Sequence, residues 1–236
     1  MRGRDVVRRL GAQLRMSLAP RHCAICRGHL PGATESLCPG CREDLPWMDG
    51  ACPRCANARP DGSLCAACAT QLPPQDYAIA AFHFTGAVRR SILQLKYHAA
   101  FAQAQWLGAG LAQAARERHA ALPDWIVPIP LHARRLRGRG YNQALELARV
   151  VGKELGIPVV HAVLRRHRAT VDQIGQSRNA RRRNLRGAFH AAPVIAGRHI
   201  ALLDDVMTTG STFGEAARCC RTAGAASVAA WAVARA

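Results

Sequence analysis

The chain has 236 residues and a mass of 25.5 kDa; 49% of its residues are hydrophobic and 20% charged, so it can bury a core and is not disordered by composition. Against 15 Asp+Glu stand 33 Lys+Arg, a formal charge of +18, and only Lys96 and Lys153 are lysines, which leaves 31 arginines. No stretch nears the roughly 18 apolar residues of a membrane span, and no apolar run follows the N-terminal arginines, which excludes stable membrane insertion and a secretory signal peptide.

Taken in chain order, residues 1–19 place Val6, Val7, Leu10 and Leu14 on one face with arginines opposite. This reads as an amphipathic helix, packing on the protein's own domains or touching a membrane surface. The next segment, 20–72, holds eight of the ten cysteines as four C-x-x-C pairs, Cys23/Cys26, Cys38/Cys41, Cys52/Cys55 and Cys65/Cys68, separated by 11, 10 and 9 residues. Two thiolates three residues apart suit a turn that offers both sulfurs to one tetrahedral zinc, and two such turns complete a four-cysteine site. The spacing predicts two structural Zn2+ sites in successive ribbons, paired in sequential order; a redox relay, disulfides and an iron–sulfur cluster are the competing readings. Reduced thiols in turn predict a cytoplasmic protein.

Residues 1–75 carry a net charge of +4, and eight thiolates with two zinc ions bring that to about zero. Trp47 is the only aromatic residue there. A neutral module with one aromatic is a weak attractor for nucleic acid, so a structural or partner-docking role outweighs direct DNA contact. Its small core makes metal the source of its folding free energy.

The two prolines of Gln71–Gln75 mark a linker, and beyond it strands alternate with helices. Tyr77–Phe84 reads as a strand. Ala87–Lys96 reads as a helix with Val88, Ile92 and Leu95 on one face, and Trp106–Arg118 as a second, Ala-rich helix. Trp125–Pro130 is a short apolar strand, and Tyr141–Leu155 a helix capped by Gly156. Pro158–Leu164 reads as a strand followed by a long polar loop. Ile200–Leu203 is a strand, Thr212–Ala223 a helix and Ser227–Val233 a last strand. This order predicts an α/β domain over 76–236, a mostly parallel sheet with helices on both faces. Ligands of such sheets lie beyond the carboxyl ends of the strands, at the loops after Pro130, Leu164 and Leu203. Lys96-Tyr97-His98 ends a helix, where a cation suits the dipole, and is assigned no chemistry. Cys219 and Cys220, inside a helix, read as buried small hydrophobes.

The sharpest signal is Ile200-Ala201-Leu202-Leu203-Asp204-Asp205-Val206-Met207-Thr208-Thr209-Gly210-Ser211-Thr212. An apolar strand runs into two acids, and a hydroxyl-rich loop with a glycine then opens a helix. Hydroxyls and backbone N–H groups at a helix N-terminus form a phosphate cradle, and the two carboxylates can accept hydrogen bonds from vicinal ribose hydroxyls. Helix capping alone accounts for Ser211 or Thr212, but not for the whole run.

These thirteen residues resemble the phosphoribosyl pyrophosphate (PRPP) signature of type I phosphoribosyltransferases. The resemblance implies a PRPP site at Asp204, Asp205, Val206, Met207, Thr208, Thr209, Gly210, Ser211 and Thr212. It sets Asp204 and Asp205 on the ribose hydroxyls, the Thr208–Thr212 loop around the 5′-phosphate, and Mg2+ bound together with PRPP. A second segment, Val127 to Gln143, places Arg134, Arg135, Arg137 and Arg139 in a Gly-punctuated loop after a strand, as candidates for pyrophosphate contact. With the cysteine pairs and the run Arg178 to Phe189, the chain resembles the ComF family over nearly its whole length. That family joins a double zinc ribbon to a type I phosphoribosyltransferase-like domain and is linked to natural competence and the use of extracellular DNA.

Between His132 and Arg198 lie 15 Lys+Arg against three acids. These cations solvate the surface, meet PRPP, or track single-stranded DNA through Arg178, Arg181, Arg182, Arg183 and Arg186. The loop Arg165–Arg186, with Gln173 and Gln176, reads as a hood closing over the donor or as a surface loop. Three functions compete: a PRPP-binding, DNA-handling competence protein whose ribbons dock a helicase or recombination protein; a metabolic phosphoribosyltransferase releasing pyrophosphate; and a non-catalytic PRPP-sensing DNA-binding adaptor. No side chain presents itself as a catalytic base.

Overall fold

The structure, a computed structural model, describes residues 21–30, 36–118, 121–168 and 185–236. The helix expected within 1–19, together with Gln173, Gln176, Arg178, Arg181, Arg182 and Arg183, lies outside the described residues. The chain divides into two compact units, Met1–Asp44 and Leu45–Ala236.

In the first unit β1 (Arg21–His22) pairs antiparallel with β2 (His29–Leu30), and a short helix α1 spans Pro39–Glu43. The second unit opens with a cysteine-bearing segment that ends in α2 (Ala66–Thr70). An α/β layer follows: β3 (Tyr77–His83), α3 (Gly86–Tyr97), α4 (Ala102–Glu117), β4 (Trp125–Pro128), α5 (Ala133–Arg139), α6 (Gln143–Leu155), β5 (Leu164–Arg166), β6 (Phe189–Ala191), β7 (His199–Met207), α7 (Ser211–Thr222) and β8 (Ser227–Arg235).

Strands β3, β8, β7 and β4 form, in that order, a fully parallel sheet. Parallel strands need helical crossovers that cover both faces, so central strands read as unbroken apolar runs. In β8 every residue after Ser227 is buried. On one face Phe213, Ala216, Ala217 and Cys220 of α7 pack with Ile200, Leu202, Ala230 and Ala232. Strand alternation turns Ala201, Leu203, Ala229 and Trp231 to the opposite face, where α4 and α6 pack. Two glycines permit that layer: a Cβ on Gly108 would meet Val150 at 2.7 Å, and one on Gly110 would run into the Phe82 ring.

Several expectations shift. The two acids lie inside β7 rather than after it, because β8 keeps pairing with β7 as far as Met207. Pro158–Leu164 is not one strand: Val159 makes a single bridge to Ile126, and Leu164 begins β5, which pairs antiparallel with β6. The start of the supposed polar loop is therefore sheet, with Arg166 held over the Phe189 ring. Part of the arginine loop is helical: His132 Nδ1 caps α5 by accepting from the Arg134 N–H, and left-handed Gly140 closes it. The Gln71–Gln75 segment has no regular structure but is anchored. Arg54 donates to the Pro73 carbonyl, and the buried Gln75 amide donates to the Arg54 carbonyl. Trp47, the one aromatic residue of 1–75, bridges to β3 and packs tilted against Phe82, ring centroids 4.5 Å apart. Cys220 is buried as expected, with Cys219 packed beside it.

Candidate functional site

The eight paired cysteines gather into two groups, Cys23/Cys26/Cys38/Cys41 and Cys52/Cys55/Cys65/Cys68, each with its four sulfurs within 4.8 Å of one another. The pairing is sequential, one group in each compact unit. Both are built alike. After the first pair the chain enters the left-handed region, at Arg27 (φ 65°) and at Ala56 (φ 53°). The Cys23 N–H then bonds the Gly28 carbonyl, and the Cys52 N–H the Asn57 carbonyl, both at 2.8 Å. The second pair sits at a short helix in each case, with Cys38 capping α1 and Cys65 capping α2.

The donor set fits zinc. A tetrahedral ion held by four thiolates with Zn–S of about 2.3 Å places its sulfurs about 3.8 Å apart, and Cys26–Cys38 and Cys55–Cys65 are 3.8 and 3.6 Å apart. Amide groups are aimed at the sulfurs, Gly28 N–H at Cys26 (3.4 Å) and Cys38 N–H at Cys23 (3.5 Å). Burial pushes the Cys23 and Cys52 thiols up, but the backbone N–H groups around each outweigh it and bring both to about 6. Each group thus holds a sulfur poised as thiolate, the form that binds metal.

The second feature lies at the carboxyl end of the sheet. β4 ends at Pro128, opposite Leu203, while β7 runs four residues further, so Asp204 and Asp205 lie beyond the pairing with β4. Each carboxylate bonds the next backbone N–H: Asp204 Oδ1 accepts from Asp205 N–H (2.9 Å) and Asp205 Oδ1 from Val206 N–H (2.8 Å). Asp205 is buried, and its other oxygen, Oδ2, has no hydrogen-bond partner among the described residues. Lys96 Nζ reaches that oxygen from the last turn of α3, an ion pair at 3.5 Å. Burial first, then the charge of Asp205, raises the Asp204 carboxyl far above the ordinary carboxylate range. The lysine is held in its charged form chiefly by Asp205, against the opposing effect of burial.

Past β7 the chain turns through Thr208 and Thr209 to Gly210, whose left-handed backbone (φ 74°) starts α7. Thr209 and Ser211 share a hydroxyl–hydroxyl bond of 2.8 Å, and Ser211 N–H points at Thr209 Oγ1 (3.3 Å). Gly210 and the first turn of α7 thus present the amide-rich end of a helix between hydroxyls. Met207 differs from its neighbours: its side chain belongs to the core, leaving only its backbone for the loop. Of the four arginines of α5, Arg139 approaches α3, its guanidinium 5.6 Å over the Tyr97 ring, while Arg134 and Arg137 are exposed. On the α7 side a cavity of about 830 Å3 separates Thr209 and Ser211 from Cys55 and Cys68, with Arg186 and Arg218 in its walls.

The structure therefore brings together the acids, the Thr208–Thr212 loop and a residue that sequence reasoning passed over, Lys96. One signal was available: lysine is so rare here that each of the two invited the question of why it is not arginine.

Comparison with known proteins agrees with both halves. Residues 14–73 match the double zinc ribbon domain family, and residues 111–236 the phosphoribosyl transferase domain family. The chain is 32% identical over 229 residues to competence protein F of Haemophilus influenzae, covering 91% of this chain and 96% of that one. It is likewise 32% identical over 225 residues to the DNA utilization protein YhgH of Salmonella typhimurium and to that of Escherichia coli K12, covering 93% of this chain and 99% of each. Among solved structures, glutamine PRPP amidotransferase from B. subtilis superposes with a TM-score of 0.38 and 23% identity, over 55% of this chain and 26% of that one. With a double zinc ribbon, a phosphoribosyltransferase domain and relatives matched nearly end to end, the chain belongs to the ComF (competence protein F) family.

Proposed function

We propose that this protein binds PRPP in the cleft beside β7 and acts in natural competence, in the uptake or processing of DNA, with its basic segments holding single-stranded DNA. The carrying observation is the convergence of two carboxylates, a helix N-terminus lined by hydroxyls and a lysine at the open end of one strand. A phosphate monoester suits the Thr208–Thr212 amides and hydroxyls, and vicinal ribose hydroxyls suit Asp204 and Asp205. Arg134, Arg135, Arg137 and Arg139 stand on the segment that follows β4, where the diphosphate arm would lie. Mg2+ would enter with PRPP. The buried Asp205 Oδ2, which has no hydrogen-bond partner among the described residues, and its neighbour Asp204 are the hard oxygen donors that fit such an ion, which would screen the diphosphate charge.

The DNA reading rests on relatives named for competence and DNA utilization, and on the excess of arginine. Arg186 is the one DNA candidate among the described residues, and it lines the cavity beside the phosphate loop. The ribbons supply a docking surface for a competence or recombination protein such as a helicase.

Titration calorimetry of PRPP into the zinc-loaded protein tests the donor reading. Saturable binding that needs Mg2+ and weakens in Asp204→Ala supports it; no binding overturns it. Single-stranded oligonucleotide binding tests the DNA reading. Contact with about six phosphates gives a log–log salt slope near −4, and no affinity at low salt overturns it.

A further inference from the structure

We propose that Lys96 is a ligand-contact residue of this cleft, a counter-ion that leaves Asp205 when PRPP enters and takes the anionic oxygens of its diphosphate arm. The proposal deepens the PRPP reading above and rests on it.

The position of Lys96 is fixed by packing. Val88, Ile92 and Leu95 bury one face of α3, which sets its rotation. The end of the helix is pinned from outside: the Tyr141 hydroxyl donates to the Leu95 carbonyl and accepts from the Ala99 N–H, and Phe101 packs edge-on against the Tyr141 ring. Because Tyr141 follows α5 directly, this contact ties the α3 terminus to the arginine segment. Lys96 is thereby held between the acids of β7 and the cations that follow β4.

Its contact with Asp205 is an exchangeable one. At 3.5 Å it is an ion pair, and Oδ2 forms no hydrogen bond among the described residues. Among the described residues Nζ makes no hydrogen bond, and 29% of the side chain remains accessible, so its donors can turn to a ligand. The residue type fits that task. In a chain that fills 31 of 33 cationic positions with arginine, lysine stands here and at the exposed Lys153 of α6. A guanidinium would close a planar two-point fork on Asp205 and lock it, whereas an ammonium is a compact charge with three rotatable donors on a flexible stem. When the carboxylate turns to ribose hydroxyls, the ammonium is left without its counter-charge, and the diphosphate replaces it.

The test compares ligands with and without that arm. Affinities of PRPP and of ribose 5-phosphate, both with Mg2+, are measured by calorimetry on the zinc-loaded full chain, for wild type, Lys96→Ala and Lys96→Arg. Loss of one charge-assisted contact predicts that Lys96→Ala weakens PRPP by about tenfold to a hundredfold and leaves ribose 5-phosphate within about twofold. Equal weakening of both ligands, or of neither, overturns the proposal. Lys96→Arg keeps the charge beside Asp205 and guards against a misfolded alanine variant; it is expected to weaken PRPP selectively, and wild-type PRPP affinity in it overturns the exchange. Wild-type protein that binds ribose 5-phosphate but not PRPP, or binds neither, overturns the donor reading itself. Wild-type protein that binds PRPP regardless of residue 96 removes Lys96 alone.

Discussion

Arg235 on β8 and Cys55 of the second cysteine group are joined directly: the guanidinium donates through Nε to the Cys55 carbonyl at 3.2 Å. Through Nη1 it also donates to the carbonyl of Met207, at 3.0 Å. One buried side chain thus ties a metal knuckle to the strand end from which the phosphate loop departs. Arg235→Met should keep most of the packing and leave the Cys55 carbonyl without this donor, at a cost of about 1–3 kcal/mol, while the Met207 carbonyl keeps the Ala236 N–H at 3.1 Å. Urea unfolding measures it. A change under about 0.5 kcal/mol, the scale of a neutral surface substitution, would mean that the guanidinium is a passenger.

The same linkage predicts unequal consequences for the two metal groups. The knuckle around Cys52 is built into the second unit: the Ala78 N–H at the start of β3 bonds the Pro53 carbonyl, and Gln75 bonds the Arg54 carbonyl. Cys52→Ser and Cys23→Ser should each lower the zinc content from two to one. Only Cys52→Ser should lower the melting transition of the sheet-bearing unit, by about 10 °C or more, since structural zinc supplies folding free energy of that scale. Metal analysis paired with calorimetric melts checks both, and equal effects on that transition would contradict the linkage.

The sequence announced its local motifs well and its long-range contacts poorly. The C-x-x-C pairs and the run Ile200 to Thr212 are contiguous, so the constraints on them are local and readable. The single-strand reading of 158–164 failed because a strand is made by its partner: among the described residues Val159 bridges to Ile126 alone, and Leu164 turns to Ala191 instead. Periodicity cannot see which neighbour wins. Lys96 was missed for the same reason, since it meets Asp205 across more than a hundred residues of chain and its helix shows only an ordinary basic end.

The raised Asp204 carboxyl gives the ligand-free protein a pH dependence with a definite sign. A carboxyl whose pKa is higher folded than unfolded binds more protons in the folded state, so its contribution is complete below the unfolded value of about 3.9 and declines as pH rises. The decline extends through the folded value of about 8. Its slope is at most about 1.4 kcal/mol per pH unit for one proton. Unfolding free energies measured between pH 5 and 8 should fall more steeply in wild type than in Asp204→Asn, which cannot ionise. Parallel profiles would show that burial and Asp205 do not hold the proton.

Gly210 allows strain and crowding to be separated in the loop itself. Its backbone is left-handed (φ 74°), and an added Cβ would find no atom within 4 Å. The penalty for Gly210→Ala is therefore conformational, about 1–2 kcal/mol, and not steric. Asparagine adopts the left-handed region more readily than alanine, so Gly210→Asn should be the more stable variant although its side chain is larger. Thermal melts of the three proteins should rank glycine, asparagine, alanine. Phosphate affinity should follow another order, because both substitutions place atoms where a ligand would approach the backbone: asparagine, with the larger side chain, should then lose more affinity than alanine. If affinity instead tracks stability residue for residue, the glycine serves the turn and not the approach of a phosphate.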